Sequence, residues 1–155
     1  MILAFGADHA GFELKEHLAQ CAREWGHEVL DLGAHGLESV DYPEFGEAVG
    51  RAVVEGRAEL GVVLCSNGVG ISITANKVPG VRCALCHTSW GAGRSRQHAD
   101  ANVLAIGAWE VGRGVAEDIL RAFLESEFEG GRHARRVAQV MAVERRGIGS
   151  ELSTV

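Results

Sequence analysis

Short, continuously apolar runs alternate along the chain with stretches in which apolar residues recur every three or four positions. The runs predict strands near residues 2–6, 28–32, 60–65, 81–86 and 102–106. The stretches between and after them predict helices near 11–25, 43–55, 69–77, 89–98, 113–126 and 134–146. Strands without polar alternate positions are typical of sheets covered by helices on both faces. The pattern therefore predicts an α/β fold, a Rossmann-like three-layer α/β/α sandwich with a five-stranded parallel sheet.

The length and composition are those of a single domain. The chain has 155 residues, of which 46% are hydrophobic, and it contains no linker, repeat or charge block. We expect one domain over 1–155, with 146–155 as a loose C-terminal tail. Open parallel sheets bind ligands at the carboxyl ends of their strands, so polar residues at those ends are the first candidates for a site.

Charge and hydropathy exclude several classes of protein. The 15 Lys and Arg against 21 Asp and Glu give a net charge of −6, which leaves no positive excess for a nucleic-acid backbone. The apolar runs are far shorter than the ~20 residues of a membrane span, and no basic segment precedes an apolar stretch at the start. We expect a soluble, cytoplasmic protein that binds neither nucleic acid nor membrane.

The four cysteines are expected to be reduced thiols, given their spacing and this compartment. Cys83 and Cys86 have the spacing of a metal or redox pair. Both fall in one predicted strand and on opposite faces of it, which disfavours a metal-binding or redox function. Cys21 lies on the apolar face of the first helix, with Leu14, Leu18 and Trp25, and is interpreted as a core residue.

Polar residues follow the first and third strands. Asp8 and His9 stand just before the first helix; Asp8 there could be only an N-cap, whereas His9 has no such structural role. The third strand ends at Cys65 and is followed by Ser66, Asn67, Gly68, Val69 and Gly70. A loop of small residues before a helix can direct backbone amides at an anion. Cys65 could be a reactive thiol at this loop or a small buried side chain.

Two further candidates lie later in the chain. His98 is placed at the end of a helix that faces the start of the fifth strand, where a histidine is often a cap or a solvated side chain. Arg132 and Arg136 are four residues apart at the beginning of the last helix, so their guanidinium groups share a face. Such a pair can clamp a phosphate, although a solvated basic turn has the same pattern.

Together these stretches closely resemble the type B ribose-5-phosphate isomerases and the related galactose-6-phosphate isomerases. The matching motifs occur in the order and spacing of that family, from residue 2 to about 146. They are GADHAGF at 6–12, DYP at 41–43, CSNGVGISITANK at 65–77, PGVR at 79–82, SRQH at 95–98, NVL at 102–104 and GGRH at 130–133.

The resemblance implies a metal-free, cofactor-free aldose–ketose isomerisation of a sugar phosphate through an enediolate. It implies that Cys65 moves the proton between C1 and C2 and that His98 opens the sugar ring. A branch of the family that uses a glutamate base has it at the position of Ile71, so this chain belongs with the cysteine users. It also implies that Asp8, counted with the catalytic residues, contacts the substrate, as do His9 and Tyr42. The loop Ser66–Gly70 would stabilise the enediolate, and Arg132 and Arg136 would bind the phosphate.

The resemblance also implies homodimers, or dimers of dimers, whose sites are completed by the neighbouring subunit. Three positions depart from the family pattern: Asn67 replaces Thr or Ser, Ala99 replaces Asn, and Trp109 replaces an Arg that binds phosphate. We expect Ala99 and Trp109 to face one pocket, less polar than usual. The expected substrate is ribose 5-phosphate, or else the phosphate of a tetrose, another pentose or a hexose. The alternative function is that of a homologue that binds a sugar phosphate without turning it over.

Overall fold

The computed structural model describes residues 1–151, and within that range it has five strands and six helices. The strands are β1 (Ile2–Ala7), β2 (Glu28–Asp31), β3 (Leu60–Cys65), β4 (Cys83–Leu85) and β5 (Val103–Gly107). The helices are α1 (Phe12–Glu24), α2 (Tyr42–Val54), α3 (Val69–Asn76), α4 (Ser89–Ala99), α5 (Arg113–Glu125) and α6 (Arg132–Glu151). Residues 152–155 of the expected tail lie outside the described range.

All strand pairings are parallel, and the sheet order is β2-β1-β3-β5-β4. The central strands β1, β3 and β5 are buried almost throughout, which explains why their sequences carry no polar alternation. The predicted α/β fold with a five-stranded parallel sheet is confirmed.

Two apolar cores lie on the two faces of the sheet. One face packs against α1, α4 and α5, with Phe5 and Phe123 fully buried there. The other packs against α2 and α3 and contains Val49 and Ile71. The outer helix α6 lies against α4 and reaches the turn before β4, where the Gly80 amide donates to the Glu144 carboxylate at 3.0 Å.

Most bounds differ from the sequence prediction by one or two residues, and the differences are largest at β4 and α6. Strand β4 covers three residues rather than 81–86. At its start, the amide of Arg82 donates to the Asn102 side-chain oxygen and the amide of Cys83, the first residue of the strand, donates to that of Asn76. Helix α6 begins at Arg132 and continues to Glu151, beyond the expected end near 146.

Cys83 in β4 and Cys86 just after it face different layers, as predicted. Cys83 packs against the α2–α3 core and Cys86 belongs to the opposite one. Burial raises the pKa of the Cys83 thiol, which disfavours the reactive thiolate form. None of the helices described is both long enough and apolar enough to cross a membrane.

Candidate active site

A first group of candidate residues meets at the carboxyl ends of β1 and β3. We call it the carboxyl-edge cluster, and its members are Asp8, His9, Tyr42, Cys65, Ser66, Asn67, Gly68, Val69, Gly70 and Trp109. Backbone hydrogen bonds hold its parts together: the Asp8 amide donates to the Leu64 carbonyl at 3.2 Å, and the Trp109 amide donates to the Ser66 carbonyl at 2.9 Å. Cys65 is only 3% exposed at the end of β3.

The loop after Cys65 requires glycine at two places. Gly68 has a φ of 76°, and a Cβ there would lie 2.5 Å from a methyl carbon of Leu85. At Gly70 a Cβ would lie 2.5–2.8 Å from the ring and hydroxyl of Tyr42. The loop therefore passes close to the Tyr42 ring, which places that side chain in the cluster.

The helix that follows this loop directs its first amides toward the same edge. The Asn67 side-chain oxygen accepts from the Val69 amide at 3.0 Å, so the side chain at this departure from the family's Thr or Ser closes a turn just before α3. The remaining first-turn amides of a helix have no partner within the helix, and the helix dipole adds partial positive charge there. This arrangement suits an oxyanion next to Cys65.

Asp8 and His9 are held in different ways. The buried Asp8 carboxylate accepts from the Gly11 amide at 3.0 Å, which closes the turn before α1. Gly11 is the N-cap residue of that helix and has no side-chain cap, so Asp8 is not an N-cap. The Nδ1 atom of His9 lies 3.2 Å from both the amide nitrogen and the carbonyl oxygen of Val40. These contacts leave Nε2 of His9 available for a ligand.

A buried ion pair behind this edge was not predicted from the sequence. Lys15 has no exposed surface, and its Nζ lies 2.6 Å from the Asp31 carboxylate and 2.7 Å from that of Glu16. Asp31 also accepts from the Gly33 amide at 3.0 Å, and the Gly33 carbonyl accepts from the Ala7 amide at 2.7 Å. The pair thus supports the chain directly before Asp8.

The second group of candidate residues lies at the amino ends of the strands. We call it the amino-edge cluster: His98, Ala99, Arg132 and Arg136. Helix α4 ends here, and Arg82, just before β4, donates to the Ala99 carbonyl at 3.2 Å. A groove of about 330 Å³ between α4, β4 and α6 is lined by His98, Ala99 and Arg136, with apolar side chains between them.

The imidazole of His98 is supported by residues near the start of α6. It stacks on His133, with ring centroids 4.0 Å apart and planes inclined by 8°. The Glu129 carboxylate lies 3.6 Å from Nε2 of His98 and 3.5 Å from Nε2 of His133. Burial, and then the neighbouring charges of His98 and Arg132, lower the pKa of His133. The GGRH motif contained His133, but nothing in the sequence indicated that it stacks on His98.

The two clusters lie at opposite edges of one sheet. A helix after a parallel strand runs antiparallel to it, so the end of α4 is at the edge where strands begin. Strand β3 has six residues, a length of roughly 17–20 Å. Ala99 and Trp109 therefore do not share a pocket within one chain, since Trp109 belongs to the carboxyl edge and Ala99 to the amino edge.

Known proteins include relatives that resemble this chain over most of its length. Residues 3–140 match the family described as Ribose/Galactose Isomerase. Ribose-5-phosphate isomerase B of Escherichia coli is 44% identical over 144 residues, which cover 93% of this chain and 97% of that protein.

Solved structures give the same result. The structure of ribose-5-phosphate isomerase B from Clostridium thermocellum superposes with a TM-score of 0.93 at 49% identity, covering 94% of this chain and 99% of that one. The enzyme from Mycoplasma genitalium, solved with bound ribulose 5-phosphate, has a TM-score of 0.89 at 34% identity and covers 93% and 96%. The chain belongs to the ribose/galactose isomerase family and is an aldose–ketose isomerase.

Proposed function

We propose that the chain interconverts ribose 5-phosphate and ribulose 5-phosphate through an enediolate, with Cys65 as the base. The observation that carries this proposal is that Cys65 ends β3 four residues before α3 begins, with Asp8 at the neighbouring strand end. The relatives named above support the choice of sugar. A base next to fixed amide donors is the combination that proton abstraction beside a carbonyl requires.

The reaction divides into ring opening and proton transfer. His98 accepts the proton of the hydroxyl at C1 and gives a proton to the ring oxygen, and the bond between C1 and that oxygen breaks. The Cys65 thiolate then removes the proton from C2, and the electron pair moves onto the C1 oxygen. The amides at the start of α3 stabilise the enediolate. Return of the proton to C1 and transfer of the O2 proton to O1 complete the ketose.

We propose further that two copies of the chain form each site. His98 and Cys65 have to act on one sugar, yet a strand length of roughly 17–20 Å separates their edges in one chain. Pairing the carboxyl-edge cluster of one copy with the amino-edge cluster of another removes this separation. In such a pair Arg132 and Arg136 of one copy would bind the phosphate of a sugar held by Cys65, Asp8 and His9 of the other. A symmetric homodimer contains two such sites.

The sequence departures support a second candidate, an isomerase whose best substrate is another sugar phosphate. Trp109 is 79% exposed at the carboxyl edge, in place of the family's arginine, so a cation is lost and an indole surface is added there. The third hypothesis, a binding protein without turnover, does not account for a base beside an oxyanion loop.

Reduced thiols and a phosphorylated sugar substrate support action in the cytoplasm.

Turnover across a panel of aldose and ketose phosphates tests the function. We expect ribose 5-phosphate or a close analogue to be converted, and we expect Cys65→Ala to lower kcat by ~10²–10⁴-fold. The matched control is Cys21→Ser, which removes a thiol on α1, away from both clusters. Near-normal turnover by Cys65→Ala would refute the assignment of the base, and no turnover of any sugar phosphate by the unmodified chain would refute the function.

A further inference from the structure

Three metal-ligating side chains converge on the surface formed by α1 and α5, away from both clusters. His17 and Cys21 are four residues apart on α1, so they share one face of that helix. Glu117 on α5 reaches them from a position 100 residues later, and its carboxylate lies 2.6 Å from Nε2 of His17. The Sγ atom of Cys21 lies 3.8 Å from the same nitrogen. One atom from each residue falls within 4.8 Å of the other two.

The surroundings of these atoms combine access with burial. Cys21 is 9% exposed, whereas the side chains of His17 and Glu117 are 27% and 38% exposed. Burial, and then the charge of Glu117, raise the pKa of the Cys21 thiol. Arg121, whose positive charge acts on Cys21, has its guanidinium carbon 4.2 Å from the centre of the Trp25 ring. A ligand can therefore enter past His17 and Glu117 to reach the sulfur.

The distances fit a tetrahedral zinc ion after a small movement. Zinc binds thiolate at about 2.3 Å and imidazole at about 2.0–2.1 Å, so the two ligand atoms lie roughly 3.5 Å apart. The separation of 3.8 Å between Cys21 and His17 is close to this value. The 2.6 Å between His17 and Glu117 must widen by roughly 0.7 Å, which a rotation of the partly exposed Glu117 side chain provides.

We propose that His17, Cys21 and Glu117 form a binding site for a soft divalent transition metal, best fitted by Zn²⁺, with the fourth position open to water. The thiol proton of Cys21 is released when the sulfur binds the metal. The ion would link α1 to α5 and stabilise their packing. It takes no part in the isomerisation, and the proposal does not depend on the substrate.

The second group of possible ligands, His98, Glu129 and His133, is a weaker candidate for geometric reasons. Its two imidazole planes are nearly parallel, so the nitrogen lone pairs point side by side and do not converge on one ion. This group contains no sulfur. A spectroscopic probe that detects a metal–thiolate bond therefore distinguishes the two places.

The test uses Co²⁺ titrated into the purified, chelator-treated protein. We expect one ion per chain, a thiolate-to-cobalt charge-transfer band in the near ultraviolet, visible bands of tetrahedral intensity, and displacement by one equivalent of Zn²⁺. Cys21→Ser should abolish the charge-transfer band, and Glu117→Gln should weaken binding at least tenfold. Cys83→Ser is the matched control and should keep the band. A hundredfold excess of Zn²⁺ over its Kd should raise the Tm by roughly 5–10 °C.

Three results would overturn the proposal. The first is that Co²⁺ shows no saturable binding when the protein is at micromolar concentration. The second is Co²⁺ binding that shows no charge-transfer band, is retained in Cys21→Ser and is lost in His133→Asn. The ion would then lie at His98, Glu129 and His133. The third is a charge-transfer band that survives Cys21→Ser and is lost in Cys65→Ser, which would place the ion at the carboxyl edge.

Discussion

Replacing Lys15 by Met should both destabilise the protein and weaken catalysis. Lys15 is fully buried, and its Nζ hydrogen-bonds Asp31 at 2.6 Å. Met retains most of the aliphatic volume but leaves the Asp31 carboxylate without its cation. Because Asp31 also receives the Gly33 amide, and Gly33 pairs with Ala7, the change reaches the chain just before Asp8.

The magnitude follows from the burial of the two partners. Exposed ion pairs contribute ~0–1 kcal/mol, whereas removing one partner of a buried pair costs ~3–5 kcal/mol. The Asp31 side chain is 23% exposed, so solvent screens part of the uncompensated charge. We expect a loss of about 2–3 kcal/mol, which lowers the Tm by roughly 4–12 °C for a domain of this size.

The assay is urea denaturation at a fixed protein concentration, with the midpoint compared at unchanged slope. Glu16→Gln is the matched control, because it removes the exposed partner of the same ammonium group and should change stability by less than about 1 kcal/mol. Adding Asp31→Asn to Lys15→Met should recover part of the loss. A Lys15→Met protein no less stable than Glu16→Gln would refute the reasoning.

The same pair sets a pH dependence. Burial raises the pKa of Asp31, but the hydrogen bonds from Lys15 and Gly33 outweigh it and hold the pKa below its ordinary value. The stabilisation is therefore present above about pH 4, and it is lost as the pH falls through the lower pKa of the folded state. The stability difference between the wild type and Lys15→Met should narrow below pH ~4, and a constant difference would contradict this origin.

Two further changes test the substrate contacts. Arg132→Ala or Arg136→Ala should mainly raise KM and weaken inhibition by inorganic phosphate. The control Arg135→Ala, on the same exposed helix, should change neither KM nor this inhibition. Unaltered phosphate inhibition in the first two variants would mean that the phosphate binds elsewhere. Trp109→Arg with Ala99→Asn should raise kcat/KM for ribose 5-phosphate relative to other sugar phosphates, and an unmodified enzyme that already prefers ribose 5-phosphate over the whole panel would contradict that prediction.

The sheet was predictable because burial on both faces leaves a mark in the sequence. Strands β1, β3 and β5 are apolar at consecutive positions, and only a sheet covered on both faces produces such runs together with amphipathic helices. The late start of β4 was not predictable, because the side-chain oxygens of Asn102 and Asn76 accept the amides of Arg82 and Cys83 there. Local hydropathy contains no information about such bonds.

The separation of the site into two edges could have been inferred from the sequence. His98 was placed at a helix end facing a strand start, and in a parallel sheet that end is opposite to Cys65. The shared pocket of Ala99 and Trp109 stays a prediction that requires clusters of two copies to meet, because roles taken from a family resemblance do not state which subunit supplies each residue. The buried Lys15 was missed because lysine is almost never fully buried without a partner, and Asp31 is sixteen residues away.

The most direct test of the account is complementation between two inactive variants. Cys65→Ala and His98→Asn are purified separately, mixed in equal amounts, dissociated and reassociated, and assayed with ribose 5-phosphate. If each site combines the carboxyl-edge cluster of one copy with the amino-edge cluster of another, half of the dimers are mixed and each has one intact site, so activity should recover to roughly a quarter of the wild type. No recovery, despite mixed dimers verified by mass, would contradict a site shared between two copies.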